Sequence, residues 1–276
     1  MKVIGIVGEY NPFHNGHLHH IEESRAIIGE DAAVLCVMSG DYVQRGEPAM
    51  FSKFARAEAA VRCGASLVLE LPLPWCLSSA EGFCRGAVGL LGATGVVDYL
   101  SFGSEAGSID PLSALAIAIM NPGLDEQIRK ELETGISYAA ARQHALESEL
   151  GELAKHLEKP NNILAVEYLR ALYELRLPMM PMTVVRTGAG HDQKGEGSLR
   201  SASELRSLLH TGHDVSAFIP APTVDVFQRE MRMGRGPMPN PALETAILSR
   251  LRAYDEHLFE NIPDASEGLD NRLRTA

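Results

Sequence analysis

Two histidines three residues apart, His14 and His17, stand in the run Asn11-Pro12-Phe13-His14-Asn15-Gly16-His17, directly after an apolar stretch and at the opening of a helix-like one. In an open parallel sheet, ligands gather beyond the carboxyl ends of the strands. A helix N-terminus placed there offers free backbone N–H groups and a partial positive charge to a phosphate. Gly16 lets a nucleotide come close to the backbone. Both imidazoles then reach phosphate oxygens and stabilise the charge that builds during attack at an α-phosphate, a chemistry that needs no covalent nucleophile. His14 and His17 are therefore the predicted catalytic pair. His19 and His20 follow on the helix and carry no signal of their own.

Chains with this His-x-Gly-His spacing resemble the HxGH nucleotidylyltransferases, which carry a second signature late in the chain: a Ser- or Thr-rich helix start ending in a basic residue. Arg200-Ser201-Ala202-Ser203-Glu204-Leu205-Arg206 fits it. Ser201 with Glu204 three residues on also reads as an ordinary capping box. The two readings are compatible, because a capped first turn can present its N–H groups to phosphate while Arg206 adds a fixed, bidentate charge. Ser201 and Ser203 are predicted phosphate contacts, and Arg206 is the third catalytic candidate.

Three polar segments leave other strands. Ser39 to Pro48 follows the second strand, with Arg45 and Lys53 available for anions. Phe102-Gly103-Ser104-Glu105 follows the fourth, where Gly103 would let an adenine or ribose lie against the backbone. Lys159-Pro160-Asn161-Asn162-Ile163 opens a helix, so an Asn N-cap and a ligand contact are both consistent with Asn161 and Asn162. Arg186 ends the fifth strand, a position from which a charge faces a ligand or a partner carboxylate.

The elements that must position these residues alternate in βαβ fashion. Strands are predicted at Lys2 to Gly8, Ala33 to Met38, Ser66 to Leu71, Val96 to Phe102 and Met180 to Arg186. Helices are predicted around Gly16 to Ile28, Phe54 to Cys63, Ser79 to Leu91 and Ala202 to Leu209. A long helical insertion, about 110–177, interrupts the sheet, with Pro122 and Pro160 as punctuation. Pro220 to Pro222 reads as a Pro-rich connector and Asn240 onward as helix. The predicted fold is α/β: a Rossmann-like HxGH nucleotidylyltransferase parallel sheet with a helical insertion and a helical C-terminal region. The expected division is a catalytic domain over 1–212 and the start of a helical region over 213–276.

Composition narrows the function classes. A formal charge of −11 argues against gripping nucleic acid with the whole surface. Two groups of basic residues, Arg45, Lys53, Arg56 and Arg62, then Arg229, Arg232, Arg235, Arg250 and Arg252, read as solvated helix faces before RNA contacts. Cys36, Cys63, Cys76 and Cys84 lack CxxC spacing and a His-rich partner set, so buried free thiols are expected, without zinc or disulfides. No apolar run is long enough to span a bilayer and no leader-like segment opens the chain, which together suggest the cytoplasm.

Together, Gly8-Glu-Tyr-Asn-Pro-Phe-His-Asn-Gly-His-Leu18, Met38-Ser-Gly-Asp-Tyr-Val-Gln-Arg-Gly-Glu-Pro48, Leu67-Val-Leu-Glu-Leu-Pro72, Phe102-Gly-Ser-Glu105, Pro160-Asn-Asn-Ile-Leu164 and Ser266-Glu-Gly-Leu-Asp-Asn-Arg272 closely resemble the bacterial tRNA(Met) cytidine acetate ligase family. The resemblance implies that acetate and ATP are joined to acetyl-adenylate with release of pyrophosphate. The acetyl group then passes to the N4 amine of the wobble cytidine in elongator tRNA(Met). By matching motif it puts ATP contacts at Val7, Gly8, Glu9, Tyr10, Asn11, Pro12, Phe13, His14, Asn15, Gly16, His17, Leu18, His19 and His20, then at Gly103, Asn161, Asn162 and Arg186. Mg²⁺ is expected with the phosphates, although no dedicated carboxylate cage, and so no protein metal site, is visible. Gly8 stands where the family would carry a small side chain such as Ala, and the family's chain continues well beyond the Ser266 motif. A compact cofactor-type nucleotidylyltransferase is the alternative enzyme, disfavoured by the Gln44 to Pro48 loop and the long insertion. A catalytically silent ATP- or RNA-binding form is the alternative outside catalysis.

Overall fold

The structure, a computed structural model, describes residues 1–186, 200–238 and 240–253. The motif Ser266 to Arg272 lies outside the described residues. Five strands, β1 (Val3–Gly8), β2 (Ala33–Ser39), β3 (Leu67–Leu71), β4 (Tyr99–Ser104) and β5 (Met180–Val185), form one sheet in the order β3-β2-β1-β4-β5. Every pairing is parallel. The order reverses between β1 and β4, so the loops leaving these two strands flank the crevice in which such sheets bind ligands.

Ten α-helices accompany the strands among the described residues of 1–238, namely α1 (Asn15–Ile28), α2 (Lys53–Arg62), α3 (Leu73–Cys76), α4 (Ala80–Ala93), α5 (Ile109–Ile119), α6 (Pro122–Leu132), α7 (Tyr138–Leu150), α8 (Pro160–Glu174), α9 (Ala202–His210) and α10 (Ala221–Arg232), and α11 (Asn240–Arg252) follows them in the chain. Their starts are written locally. Ser52, Ser79, Ser108, Ser137 and Ser201 each cap a helix with the side-chain oxygen, as Asn121 does. Parallel strands are covered on both faces, and two apolar clusters do this. One joins Ile4, Ile6, Cys36 and Met38 to α1, α2, α9 and α10. The other joins Leu35, Val37, Leu100 and Phe102 to α4, α5 and α8. The inserted helices add a third cluster around Leu124, Ile128 and Leu146.

Two elements differ from their expected form. The fourth strand starts at Tyr99, three residues later than its apolar run, and Asp98 just before it accepts the Val3 N–H on its side chain at 2.8 Å. It then runs on to Ser104, which pairs with Val185. Pro220 to Pro222 is no connector: Pro220 is the N-cap of α10 and Pro222 lies in its first turn, where a missing N–H costs nothing. The chain forms two compact units, Met1–Met238 and Pro239–Ala276, and α11 is the described helix of the second.

All four cysteines are buried and free. Among the described residues no helix is long and apolar enough to cross a membrane. Helix α10 is held to the segment that leads into α2 by Phe227, which is 1% exposed and stacks on Phe51 with centroids 4.1 Å apart. We therefore expect Phe227→Ala to lower unfolding free energy by about 3–5 kcal/mol. Urea denaturation checks this, and a change within ±0.5 kcal/mol, the size of a neutral surface substitution, would show that α10 contributes little.

Candidate active site

The Asn11 to His17 motif forms the turn between β1 and α1. Tyr10 takes a left-handed φ of 48°, rare for an aromatic residue, and reverses the chain at the strand end. His14 is the N-cap of α1, with extended dihedrals, and no acidic residue occupies the first turn. His14 Nδ1 accepts the Gly16 N–H at 3.0 Å, and His17 Nδ1 accepts the His14 N–H at 3.2 Å. A capping box is ordinarily built from a hydroxyl and a carboxylate. Here two imidazoles close it, and their rings stack with centroids 3.8 Å apart.

This arrangement sets the protonation of both rings. A ring nitrogen that accepts from a backbone N–H carries no proton, so a neutral ring must hold its proton on Nε2. Burial, followed by the positive charge of Arg186, pulls His14 down to about 3. Burial also holds His17 well below the ordinary imidazole range, with His14, Arg186 and His20 adding to the effect. Both rings are therefore neutral at pH 7, each presenting one Nε2–H donor.

The expectation of free helix amides fails at α1. Asn15 N–H donates to Phe218 O at 3.0 Å, Gly16 N–H is taken by His14 Nδ1, and the His17 and Leu18 N–H groups both return to His14 O. What α1 offers a phosphate is its imidazole donors and its dipole. Gly16 serves this cap as well, since a Cβ there would lie 2.9 Å from His14 Cε1. Helix α9 differs: Ser201 Oγ accepts from Glu204 N and Glu204 Oε2 accepts from Ser201 N at 2.9 Å, and the Ala202 and Ser203 amides have no hydrogen-bond partner among the described residues. Arg206 on the same helix donates to Asn11 O at 3.0 Å, which brings the late motif against the early one.

The other predicted residues divide. Tyr10 and Phe13 are core side chains, 2% and 0% exposed, and Tyr10 Oη donates to Cys36 Sγ at 3.1 Å. Through their side chains they shape the turn and do not face a ligand. Val7 and Leu18 pack against the two cores. A Cβ on Gly8 would stand 2.8 Å from the Tyr10 ring. Glu9 Oε1 accepts the Gln44 N–H at 2.8 Å, tying the Ser39 to Pro48 loop to the turn. His19 lies outward beside Glu23, 3.9 Å away. His20 is anchored inward, its Nε2 2.9 Å from Ser101 Oγ, and burial takes it down to about 4.

Asn161 and Asn162 are not N-caps, a role held by the backbone of Lys159. Asn162 Oδ1 accepts from both Glu105 N and Ala106 N at 3.0 Å, and its Nδ2 donates to His156 O. Asn161 Oδ1 accepts from Arg186 Nη1 at 2.9 Å. Arg186 runs across Gly103, so the space that this glycine leaves is taken by the arginine stem at 3.0 Å.

Sequence reasoning missed Arg56. Read as part of a solvated face, it is fully buried, with its guanidinium donating to the backbone carbonyls of Glu9, Ser39, Gly40 and Phe51. These carbonyls lie at the ends of β1 and β2 and in the approach to α2, and only the run of polar, turn-forming residues there hinted that their backbone needed a partner. Lys53 pairs with Glu70 at 2.7 Å, and Arg229 and Arg235 pair with Glu230, so these cations are also engaged within the protein.

A parallel sheet that carries a neutral histidine pair at its switch point defines a nucleotidyl transferase of the HIGH class, and a family model described as HIGH Nucleotidyl Transferase matches residues 1–276. The tRNA(Met) cytidine acetate ligases of Acetivibrio thermocellus and Syntrophomonas wolfei are each 40% identical to this chain, across 100% of it and 69% and 68% of their own lengths. The crystal structure of apo Thermotoga maritima TmcAL superposes with a TM-score of 0.93 at 37% identity, covering 100% of this chain and 67% of that one. The structure of the same protein bound with alpha-thio ATP gives 0.91 at 37% identity, covering 99% and 66%. The chain belongs to the HIGH nucleotidyl transferases and, within them, to the tRNA(Met) cytidine acetate ligase family. It spans about two thirds of the length of these relatives.

The lowered imidazoles predict a pH dependence. Unfolded histidines titrate near ~6.5, whereas in the folded chain His14 and His20 stay neutral down to about 3 and about 4. The unfolded state therefore binds more protons below pH ~6.5, and folding stability falls as the pH drops through that window. Urea unfolding at pH 7 and pH 5 should show lower stability at pH 5, with a smaller difference in the variant His14→Gln/His17→Gln. Equal pH dependence in the two chains would contradict the neutral pair.

Proposed function

We propose that this chain activates acetate with ATP and transfers the acetyl group to the wobble cytidine of elongator tRNA(Met). In the first step an acetate oxygen attacks the α-phosphorus and the bond to the β-phosphate oxygen breaks, giving acetyl-adenylate and pyrophosphate. Acetate is already a carboxylate at pH 7, so no base is required and catalysis reduces to positioning and charge stabilisation. The Nε2–H groups of His14 and His17 donate to the phosphate oxygens on which charge accumulates. The open Ala202 and Ser203 amides and Arg206 hold the phosphates from the opposite helix, and Arg186 with Asn161 holds the nucleotide on the β4 side. In the second step the cytidine N4 amine attacks the acetyl carbonyl and AMP leaves.

The observation that carries this reading is the preset pair of neutral donors at the switch point, combined with membership of the ligase family. Among the described residues no three His, Cys, Asp or Glu side chains come together to hold a metal ion. The donor set does not fit a protein-built Mg²⁺ site, and any Mg²⁺ would travel on the phosphates. A cytoplasmic location is consistent with tRNA and ATP as substrates.

Pyrophosphate release from ATP by the 276-residue chain, with and without acetate, tests the first step, and labelled acetate transferred to elongator tRNA(Met) tests the second. Acetate-dependent release is expected, with His14→Ala and His17→Ala each slower by about a hundredfold or more. Near-normal turnover in both variants overturns the assignment. ATP binding without acetate-dependent release would mark a nucleotide-binding form.

A further inference from the structure

Glu105 leaves β4 at the edge where the site lies, yet it is part of none of the groups assigned above to ATP. Its carboxylate accepts Asn161 Nδ2 at 2.6 Å and the Asn162 backbone N–H at 3.0 Å. The Glu105 backbone N–H in turn donates to Asn162 Oδ1 at 3.0 Å, so the end of β4 and the first turn of α8 grip each other in both directions. This settles the orientation of the Asn161 amide. With Nδ2 drawn to the carboxylate, Oδ1 is presented to Arg186 Nη1 at 2.9 Å. A reversed amide would set N–H against N–H at Arg186 and oxygen against oxygen at Glu105. Asn161 therefore meets the Arg186 guanidinium with an acceptor where the arginine lies along Gly103.

We propose that Glu105 is a positioning residue for ATP, acting through Asn161 to aim the Arg186 guanidinium into the nucleotide site. The inference rests on the reading that Arg186 and Asn161 contact ATP. Glu105 itself touches neither phosphate nor acetate, so its effect falls on ATP affinity and leaves acetate use alone. Asn162, whose side chain is occupied within the protein, serves the same bracket and not the ligand.

The test exchanges donor and acceptor between positions 105 and 161 in the whole chain, reading ATP affinity by calorimetry. Glu105→Gln removes the charged acceptor, and Asn161→Asp opposes two carboxylates; each should weaken ATP by about tenfold. The double change Glu105→Gln/Asn161→Asp reverses the hydrogen bond and keeps an oxygen toward Arg186. It should return the affinity to within about threefold of the parent chain, a coupling expected only of groups in contact. The KM for acetate at saturating ATP should stay within about twofold in all three. Unchanged ATP affinity in Glu105→Gln, or a double variant as weak as the two single losses combined, overturns the proposal. Acetate-dependent pyrophosphate release is followed separately, so its absence in the parent chain would count against acetate activation while the ATP titrations still decide the role of Glu105.

Discussion

Two backbone N–H groups at the start of α1 find their acceptors in imidazole rings, and much of the site follows from that constraint. Once Nδ1 of His14 and of His17 accepts from the backbone, each ring has only Nε2 on which to carry its proton. Stacked and buried near Arg186, neither ring can afford a charge, so the pair stays neutral and presents two donors of known identity. Such donors need no reorganisation when negative charge develops on a phosphate, which is the sense in which preorganisation lowers a barrier. The same constraint explains Gly16, since the His14 ring lies where its side chain would be.

The cap is useful only if its turn is held still, and three long-range contacts do this. Arg56 gathers the carbonyls at the ends of two adjacent strands, a role that suits a planar guanidinium with five donors and that a lysine could not fill. Burial takes it down to about 10, which leaves it charged at neutral pH. Arg206 ties α9 to Asn11, and Phe218 O binds the first amide of α1. Across the crevice, the bracket between Glu105 and Asn161 does for β4 what Arg56 does for β1 and β2. The site is thus assembled from loops at one edge of the sheet, each held by side-chain hydrogen bonds to backbone or to a neighbouring amide.

What could be read from the sequence was what is written locally. The strand and helix alternation, the Ser201 cap and the His14 to His17 spacing depend on residues within a few positions of one another, and the structure matches them closely. The late motif was legible as a capping box because Ser201 and Glu204 are three apart. Contacts that depend on how the chain folds back were not legible. Arg56 reaches Glu9 across 47 residues, and nothing near Arg56 distinguishes it from a solvated cation. The helix-amide expectation failed only partly for this reason: Phe218, which consumes the first amide of α1, arrives from 203 residues further on, whereas the Gly16, His17 and Leu18 amides are taken locally by His14. Pro220 to Pro222 misled because proline both breaks chains and opens helices, and only the following residues decide which.

Catalysis by this site requires that His14 and His17 be neutral and protonated on Nε2 before any nucleotide arrives. Nitrogen NMR of the imidazole rings in the ATP-free chain at pH 7, assigned through His14→Gln and His17→Gln, reads this directly. An unprotonated Nδ1 and a protonated Nε2 are expected in both rings, with the Nε2–H signals moving when an ATP analogue is added. A proton on Nδ1, or an imidazolium at either position in the free chain, would contradict this assignment.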